Sequence, residues 1–108
     1  PSGFVYLDHR YKESSTDASQ ESEQNRLGMP AYPKQTVEEM FNWDPINFNP
    51  IIKEQNIAGV EAAIWCETIE SFSDLQFLVL PRLFGVAEKA WAGGNTEWSD
   101  YRVRLGSQ

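Results

Sequence analysis

Residues 59–68 have the sequence GVEAAIWCET, which is the most informative run in this chain. The run from Ile57 to Ile64 is largely apolar and partly β-branched, as is typical of a strand buried on both faces. Trp65 and Glu67 follow at its C-terminal end. An aromatic plate can cover the C–H face of a pyranose, and a carboxylate can accept its hydroxyl protons. The run therefore predicts a sugar-facing corner. The alternative is a core tryptophan followed by a glutamate that opens the next turn.

The composition excludes several classes of function. The chain has 108 residues, of which 41% are hydrophobic and 13% aromatic, so it can supply a core and global disorder is not expected. Sixteen acidic residues against 9 basic ones give a formal charge of −7. Without a cluster of Lys or Arg, we expect neither nucleic acid nor an anionic membrane surface as a partner. No apolar run approaches the roughly 18–20 residues of a transmembrane helix.

Cysteine and histidine usage argues against a metal or redox site. Cys66 is the single cysteine and His9 the single histidine, so an internal disulfide is excluded and a zinc cluster is not expected. We predict no cofactor and no metal. The first residues, Pro1–Gly3, do not form a signal peptide, and no targeting signal is present in this segment. A secreted, periplasmic, lysosomal or cytoplasmic parent protein is compatible with it.

The first half of the chain predicts two strands separated by a long loop and a short helix. Phe4–Asp8 is typical of a short strand, and residues 9–35 of a long polar surface loop. Thr36 and Glu39 fit a capping box for a helix at Val37–Phe41, which the sequence Trp43-Asp44-Pro45 should end. The second strand is predicted at residues 57–65.

The second half, residues 73–105, predicts helices. Ser73 is expected as the N-cap with Gln76 as its capping-box partner, and the helix should run to about Trp91 with a kink or new cap at Pro81. A last helix is predicted at Glu97–Leu105. Five residues of the long helix have the spacing of a buried stripe: Leu80, Leu83, Phe84, Ala87 and Trp91.

Strands that alternate with helices indicate a parallel α/β architecture. Two strands alone do not form a stable parallel sheet, because such a sheet needs cover on both faces. The pattern therefore predicts about the last two βα units of something larger.

Six short motifs occur in the order seen in one known family. They are YLD at 6–8, NWDP at 42–45, GVEAAIWCET at 59–68, FLVLPRL at 77–83, AEKAW at 87–91 and WSDY at 98–101. Residues 1–108 thereby resemble the C-terminal part of the catalytic (β/α)8 barrel of β-N-acetylhexosaminidases of glycoside hydrolase family 20, incomplete as an isolated chain. The resemblance implies that residues 4–8 and 57–65 are the last two barrel strands. It also implies that their exits lie at the catalytic face of the barrel.

The resemblance implies exo-acting hydrolysis of terminal non-reducing N-acetyl-D-hexosamine residues. In this family the 2-acetamido oxygen of the substrate attacks the anomeric carbon, which is the substrate-assisted form of retaining hydrolysis. An adjacent Asp-Glu pair assists the attack and protonates the leaving group. No Asp-Glu dipeptide occurs in this sequence. We therefore expect the 108-residue segment to supply sugar-binding residues but to be inactive by itself.

The resemblance assigns roles to four residues. Tyr6 matches the tyrosine whose hydroxyl donates to the acetamido oxygen, and Asp8 matches an acid that binds a sugar hydroxyl, the 6-hydroxyl by the resemblance. Trp65 matches the tryptophan wall of the pocket, and Glu67 the glutamate that binds the 4-hydroxyl. Expected partners are glycans that end in N-acetylhexosamine, together with the remainder of the barrel or a second copy bound through exposed barrel faces.

One position departs from the family pattern. Where family members often have a tryptophan on the leaving-group side, this chain has Ala31 followed by Tyr32. Either Tyr32 is a substitute stacking surface or the leaving-group subsite is more open. Glu61 and Arg82 are interpreted as barrel-interior and helix–barrel pairing groups, because a buried charge needs a partner. His9 is interpreted as a loop residue. The alternative to an enzyme segment is a non-catalytic carbohydrate-binding or interaction module.

Overall fold

Helices form most of the regular structure of residues 1–107, which the computed structural model describes. The α-helices of this range are α1 (Ser2–Val5), α2 (Glu21–Arg26), α3 (Val37–Phe41), α4 (Phe72–Val79), α5 (Arg82–Ala92) and α6 (Trp98–Gly106). Short 3₁₀ turns lie at Ala18–Gln20, Glu54–Asn56 and Gly93–Asn95. None of the helices in this range is long and apolar enough to cross a membrane.

The prediction of two full strands is wrong for the described residues. Ser2–Val5 is a helical turn, and residues 57–65 contain one isolated bridge, in which Ala63 pairs in parallel with Tyr6. The amide of Leu7 donates to the carbonyl oxygen of Ala63 at 2.8 Å, and the amide of Ala63 donates to that of Val5 at 2.9 Å. A buried parallel strand needs hydrogen-bonded neighbours along its length, and these two segments share only this one bridge. A second isolated parallel bridge joins Tyr11 and Gln35, so the α/β class is reduced to two bridges within the described residues.

Residues 9–35 are more ordered than a polar loop. They contain the 3₁₀ turn Ala18–Gln20 and helix α2, which buries none of its own residues. The carboxylate of Asp17 caps the turn by accepting from the amide of Ser19 at 2.9 Å. Leu27 directly follows α2 and is 1% exposed, so its burial fixes the C-terminal end of this helix to the protein interior. The loop prediction failed because local side-chain caps supply order that hydrophobicity does not reveal.

Helix α3 has the predicted bounds and the predicted capping box. The amide of Glu39 donates to the hydroxyl of Thr36 at 2.9 Å, and the amide of Thr36 donates to the Glu39 carboxylate at 2.9 Å. The helix ends at Asn42, just before the sequence Trp43-Asp44-Pro45. Both terminal signals are local in sequence, and both are confirmed.

The predicted long helix is divided at Pro81, as expected, into α4 and α5. The predicted N-cap is wrong: Ser71 caps α4 by accepting from the amide of Asp74 at 3.1 Å. Asp74 is the group that selects this start, because its carboxylate also accepts from the amide of Glu70 at 3.0 Å. The pattern of Ser71 followed by Asp74 therefore outcompetes that of Ser73 followed by Gln76.

The predicted buried stripe of α5 is also wrong. Among its members, Leu83, Phe84 and Trp91 are exposed, with Trp91 at 92%. The helix instead buries its opposite side, where Gly85 lies against the ring of Phe41 and Val86 joins the core cluster. The contacts within this chain select that side. The apolar stripe has no cover among the described residues.

Candidate functional site

The parallel bridge brings the predicted aromatic residues together. The ring of Tyr6 lies with its centroid 6.4 Å from that of Trp65 and 6.4 Å from that of Tyr32. The interplanar angles are 58° and 48°, so the rings form a tilted enclosure rather than a stack. Trp65 is 52% exposed and therefore keeps an open surface on which a ligand can pack.

Asp8 follows Tyr6 by two residues and is in an unusual state for a carboxylate. It is 0% exposed, and neither of its oxygens has a hydrogen-bond partner among the described residues. Burial raises the pKa of Asp8, and the negative charge of Glu67 acts in the same direction; the nearby backbone amides of Asp8 and Trp65 and the charge of His9 oppose it, although neither amide makes a hydrogen bond of good geometry. A buried acceptor without a donor is costly, so Asp8 is suited to accept hydrogen bonds from a ligand.

Glu67 follows Trp65 by two residues and is exposed. Burial raises the pKa of the Tyr32 hydroxyl, and the negative charges of Asp8 and Glu67 act in the same direction. The ring contacts thus join Tyr6, Tyr32 and Trp65, and Asp8 and Glu67 follow Tyr6 and Trp65 by two residues each.

His9 belongs to the site although the sequence suggested only a loop residue. It is 4% exposed, and its Nδ1 donates to the carbonyl oxygen of Pro33 at 2.8 Å. Its ring also lies 4.9 Å from the ring of Tyr32, at an angle of 34°. His9 thereby supports the segment that presents Tyr32. Its only signal in the sequence is its position next to Asp8.

Gly28 allows the segment that precedes Tyr32 to pack closely against the backbone of Asp8. Gly28 has a φ of +97°, and a Cβ atom there would lie 3.0 Å from the Asp8 carbonyl oxygen and 2.9 Å from Cγ of Arg10. Its amide donates to the hydroxyl of Thr68 at 2.9 Å, and the next amide, of Met29, donates to the carbonyl oxygen of Asp8 at 2.8 Å. Only glycine fits this close, left-handed position without strain.

The two predicted pairing groups differ in burial. Glu61 is exposed among the described residues, and its assignment to the interior of the complete barrel stays a prediction. Arg82 is buried at 3% exposure as expected, but its hydrogen bonds go to backbone carbonyl oxygens and a methionine sulfur rather than to a carboxylate. Within residues 1–107, no group of three or more His, Cys, Asp or Glu side chains is arranged to hold a metal ion.

Comparison with known proteins identifies the family of the chain. Residues 1–94 match the model of glycosyl hydrolase family 20, catalytic domain. The chain therefore belongs to this family, whose catalytic domain is a (β/α)8 barrel.

Particular relatives extend the match to nearly the whole chain. A β-N-acetylhexosaminidase from Cellulomonas fimi is 33% identical over 106 residues, which are 97% of this chain and 19% of that protein. A β-hexosaminidase from Vibrio vulnificus is 41% identical over 39 residues, which are 36% of this chain and 5% of that protein.

Solved structures give the same result for the fold. The family 20 β-N-acetylhexosaminidase of Streptomyces coelicolor A3(2) matches with a TM-score of 0.81 at 32% identity, covering 100% of this chain and 20% of that one. The Streptomyces plicatus enzyme in complex with Thio-NAglucal matches with a TM-score of 0.81 at 31% identity and the same coverage. The chain thus spans about a fifth of the length of these relatives.

Proposed function

We propose that this segment is part of an exo-acting β-N-acetylhexosaminidase, which removes terminal non-reducing N-acetyl-D-hexosamine residues by substrate-assisted retaining catalysis. The observation that supports it best is a buried, unpartnered carboxylate, Asp8, beside a cluster of aromatic rings with an open face. A pyranose offers hydroxyl donors for such an acceptor and a C–H face for such rings. Family membership supports the same reaction.

In this proposal each site residue binds or orients one part of the sugar. The hydroxyl of Tyr6 donates to the acetamido oxygen and holds it for attack on the anomeric carbon. Asp8 accepts from a sugar hydroxyl, and Glu67 accepts from the 4-hydroxyl. Trp65 forms the wall beneath the ring, while Tyr32 provides the stacking surface on the leaving-group side.

The proton donor to the leaving oxygen comes from outside these 108 residues. The sequence contains no adjacent Asp-Glu pair, and the single histidine is engaged with Pro33. The acetamido oxygen supplies the nucleophile, so the segment needs to provide only orientation and hydroxyl recognition. In this proposal the segment binds the sugar, and the rest of the protein supplies the acid catalyst.

We further propose that residues 4–8 and 57–65 become the last two strands of the complete barrel. The parallel bridge between Tyr6 and Ala63 supports this, since adjacent barrel strands pair in parallel. Residues 9–35 are then the excursion between the strands and residues 73–105 the closing helices. The exposed apolar residues Ile51, Phe72 and Trp91, at 87%, 72% and 92%, pack against the remainder of the barrel.

A comparison of two proteins tests the reaction. The full-length protein should hydrolyse a chromogenic N-acetyl-β-D-glucosaminide, whereas the purified 108-residue segment should not. Turnover by the segment alone would contradict the claim that its acid is missing. Sugar affinity of the segment as a compact monomer, measured by titration calorimetry, together with an inactive full-length protein, would instead favour a carbohydrate-binding module.

A single-atom variant tests the proposed role of Tyr6. Tyr6→Phe in the full-length protein should lower kcat about 10²- to 10³-fold, the usual cost of removing one hydrogen bond that stabilises a transition state. Tyr101→Phe is the matched control, because the buried Tyr101 hydroxyl has no hydrogen-bond partner among the described residues and lies in the helical core. An unchanged kcat for Tyr6→Phe would overturn the acetamido role.

A further inference from the structure

Arg82 grips the backbone on both sides of Asp8. Its Nη2 donates to the carbonyl oxygen of Leu7 at 2.7 Å, and its Nη1 donates to that of His9 at 2.7 Å. These two carbonyl groups belong to the residues before and after Asp8. A planar guanidinium with a fixed fork of donors can hold two carbonyl groups in one orientation, which a flexible ammonium does less well.

The guanidinium is itself held in place from the helical side. Its Nε and Nη2 donate to the carbonyl oxygen of Leu78 at 3.2 and 2.8 Å, and Nη1 lies 3.4 Å from the sulfur of Met40. All three nitrogens are therefore engaged. These contacts fix the orientation of the guanidinium. Arg82 thereby connects the junction of α4 and α5 to the segment that contains Asp8.

Tyr11 closes the other face of this group. The carbon centre of the guanidinium lies 4.0 Å from the centroid of the Tyr11 ring, in a cation–π arrangement. The Tyr11 hydroxyl donates to the carbonyl oxygens of Leu80 at 2.7 Å and Phe77 at 3.1 Å. Arg82 is thus enclosed by groups that are themselves fixed.

This charge is not part of an ordinary structural ion pair. The ion pairs of the described residues are Lys12 with Glu39, Arg26 with Asp74, and Arg104 with Glu88. Burying a cation without a carboxylate is costly, and an apolar side chain of similar volume often serves stability as well. The guanidinium instead donates hydrogen bonds to the carbonyl oxygens of Leu7 and His9 and so holds this part of the backbone.

We propose that Arg82 is a positioning residue for Asp8, which fixes the direction of that carboxylate by clamping the two carbonyl groups beside it. The proposal rests on the proposed function, in which Asp8 accepts from a sugar hydroxyl. Arg82 does not touch the sugar. It acts through the backbone, and its loss lets Asp8 turn away from the hydroxyl.

The test is a double-variant cycle in the full-length protein with a chromogenic N-acetyl-β-D-glucosaminide. Arg82→Met should raise KM and lower kcat/KM about 10- to 100-fold, the scale of a displaced binding group. In the Asp8→Asn background the same change should have an effect of less than about threefold, because the two residues act in series. Arg104→Met removes a surface guanidinium and should stay within about twofold of the parent protein.

The cycle separates positioning from simple stabilisation. Partial unfolding lowers the amount of active enzyme but leaves KM unchanged. It would lower kcat by the same factor in the parent protein and in the Asp8→Asn background. If the losses in kcat/KM caused by Arg82→Met and Asp8→Asn multiply fully, or if KM is unchanged in Arg82→Met, the positioning role is overturned. Arg82→Lys keeps the charge without the fork and should recover part of the KM; it replaces Arg82→Met in the cycle if that variant does not fold. An inactive parent protein would instead overturn the proposed function.

Discussion

Tyr6 and Ala63 form a parallel bridge that sets the register of the candidate site. Asp8 and Trp65 each follow this pair by two residues, and the ring centroids of Tyr6 and Trp65 lie 6.4 Å apart. One bridge therefore brings a hydroxyl donor, a buried carboxylate and an aromatic plate into one corner.

Replacement of Asp8 should increase stability while it weakens sugar binding. The Asp8 carboxyl is buried without a partner, and burial raises its pKa above the ordinary value of 3.8. A group whose pKa is raised on folding stabilises the folded state at low pH, and this contribution is lost as the pH rises through the raised pKa. Asp8→Asn should thus have a higher Tm than the parent protein at neutral pH, and a higher KM.

The pH dependence of that difference is the measurement that checks it. The Tm advantage of Asp8→Asn should be smallest below pH 3.8, grow as the pH rises through the raised pKa and then level off. Thermal unfolding of the full-length proteins across this range gives the two curves. A constant difference at every pH would contradict the raised pKa.

Gly28→Ala should displace the segment that presents Tyr32. The new Cβ would lie 3.0 Å from the Asp8 carbonyl oxygen at a φ of +97°, and a strained position of this kind costs about 1–3 kcal/mol. We expect a lower free energy of unfolding and a higher KM. Gly59→Ala is the control, since a Cβ there meets no atom within 4 Å. Equal behaviour of the two variants would refute the requirement for glycine.

Asp74 should make stability fall in acid. Its hydrogen bonds with Arg26, at 2.7 and 3.2 Å, and with the amide of Glu70 lower the pKa of Asp74 from 3.8 to about 2. For a depressed pKa, the stabilisation is complete above the ordinary value and is lost as the pH falls from about 3.8 through about 2. The Tm deficit of Asp74→Asn should therefore shrink over this range.

A second variant isolates the partner of Asp74. Arg26→Met removes the largest cause of the low pKa, so the stability that Asp74 contributes above pH 3.8 and loses in acid should become smaller. Arg104→Met removes a comparable surface pair with Glu88 and should leave the Asp74 titration in place. An unaltered acid transition in Arg26→Met would show that the pair does not control this pKa.

Trp65→Ala should remove the plate of the pocket. We expect kcat/KM to fall about 10- to 100-fold, which corresponds to about 1.4–2.7 kcal/mol. Trp65→Phe retains a smaller ring and should lose less. Steady-state kinetics on the chromogenic substrate separate the two variants. Equal losses would indicate that the indole surface itself is not used.

Signals that are local in sequence predicted the local structure well. The capping box of Thr36 and Glu39, the end of α3 before Pro45 and the division of the long helix at Pro81 are all confirmed. The wrong N-cap, Ser73 in place of Ser71, arose because Asp74 also binds Arg26, which is 48 residues away along the chain. A distant partner had decided between two local patterns of similar quality.

Patterns of burial were less reliable, because they depend on what an element packs against. The stripe from Leu80 to Trp91 has helical spacing, yet α5 buries the other side, which fits against Phe41. Phe4–Asp8 has the composition of a strand, but a strand also requires a hydrogen-bonded neighbour along its length. Composition reports what a segment can bury, and its partners determine what it does bury.

The family, the ends of α3 and the chemical types of the expected site residues could be read from the linear chain, because they depend on neighbouring residues and ordered motifs. The burial of Asp8, the support of Tyr32 by His9 and the grip of Arg82 on Leu7 and His9 could not. These depend on contacts between residues up to 75 positions apart. Such contacts form only when the whole chain packs. A donor can bind any backbone carbonyl group, so the sequence does not show which one it binds.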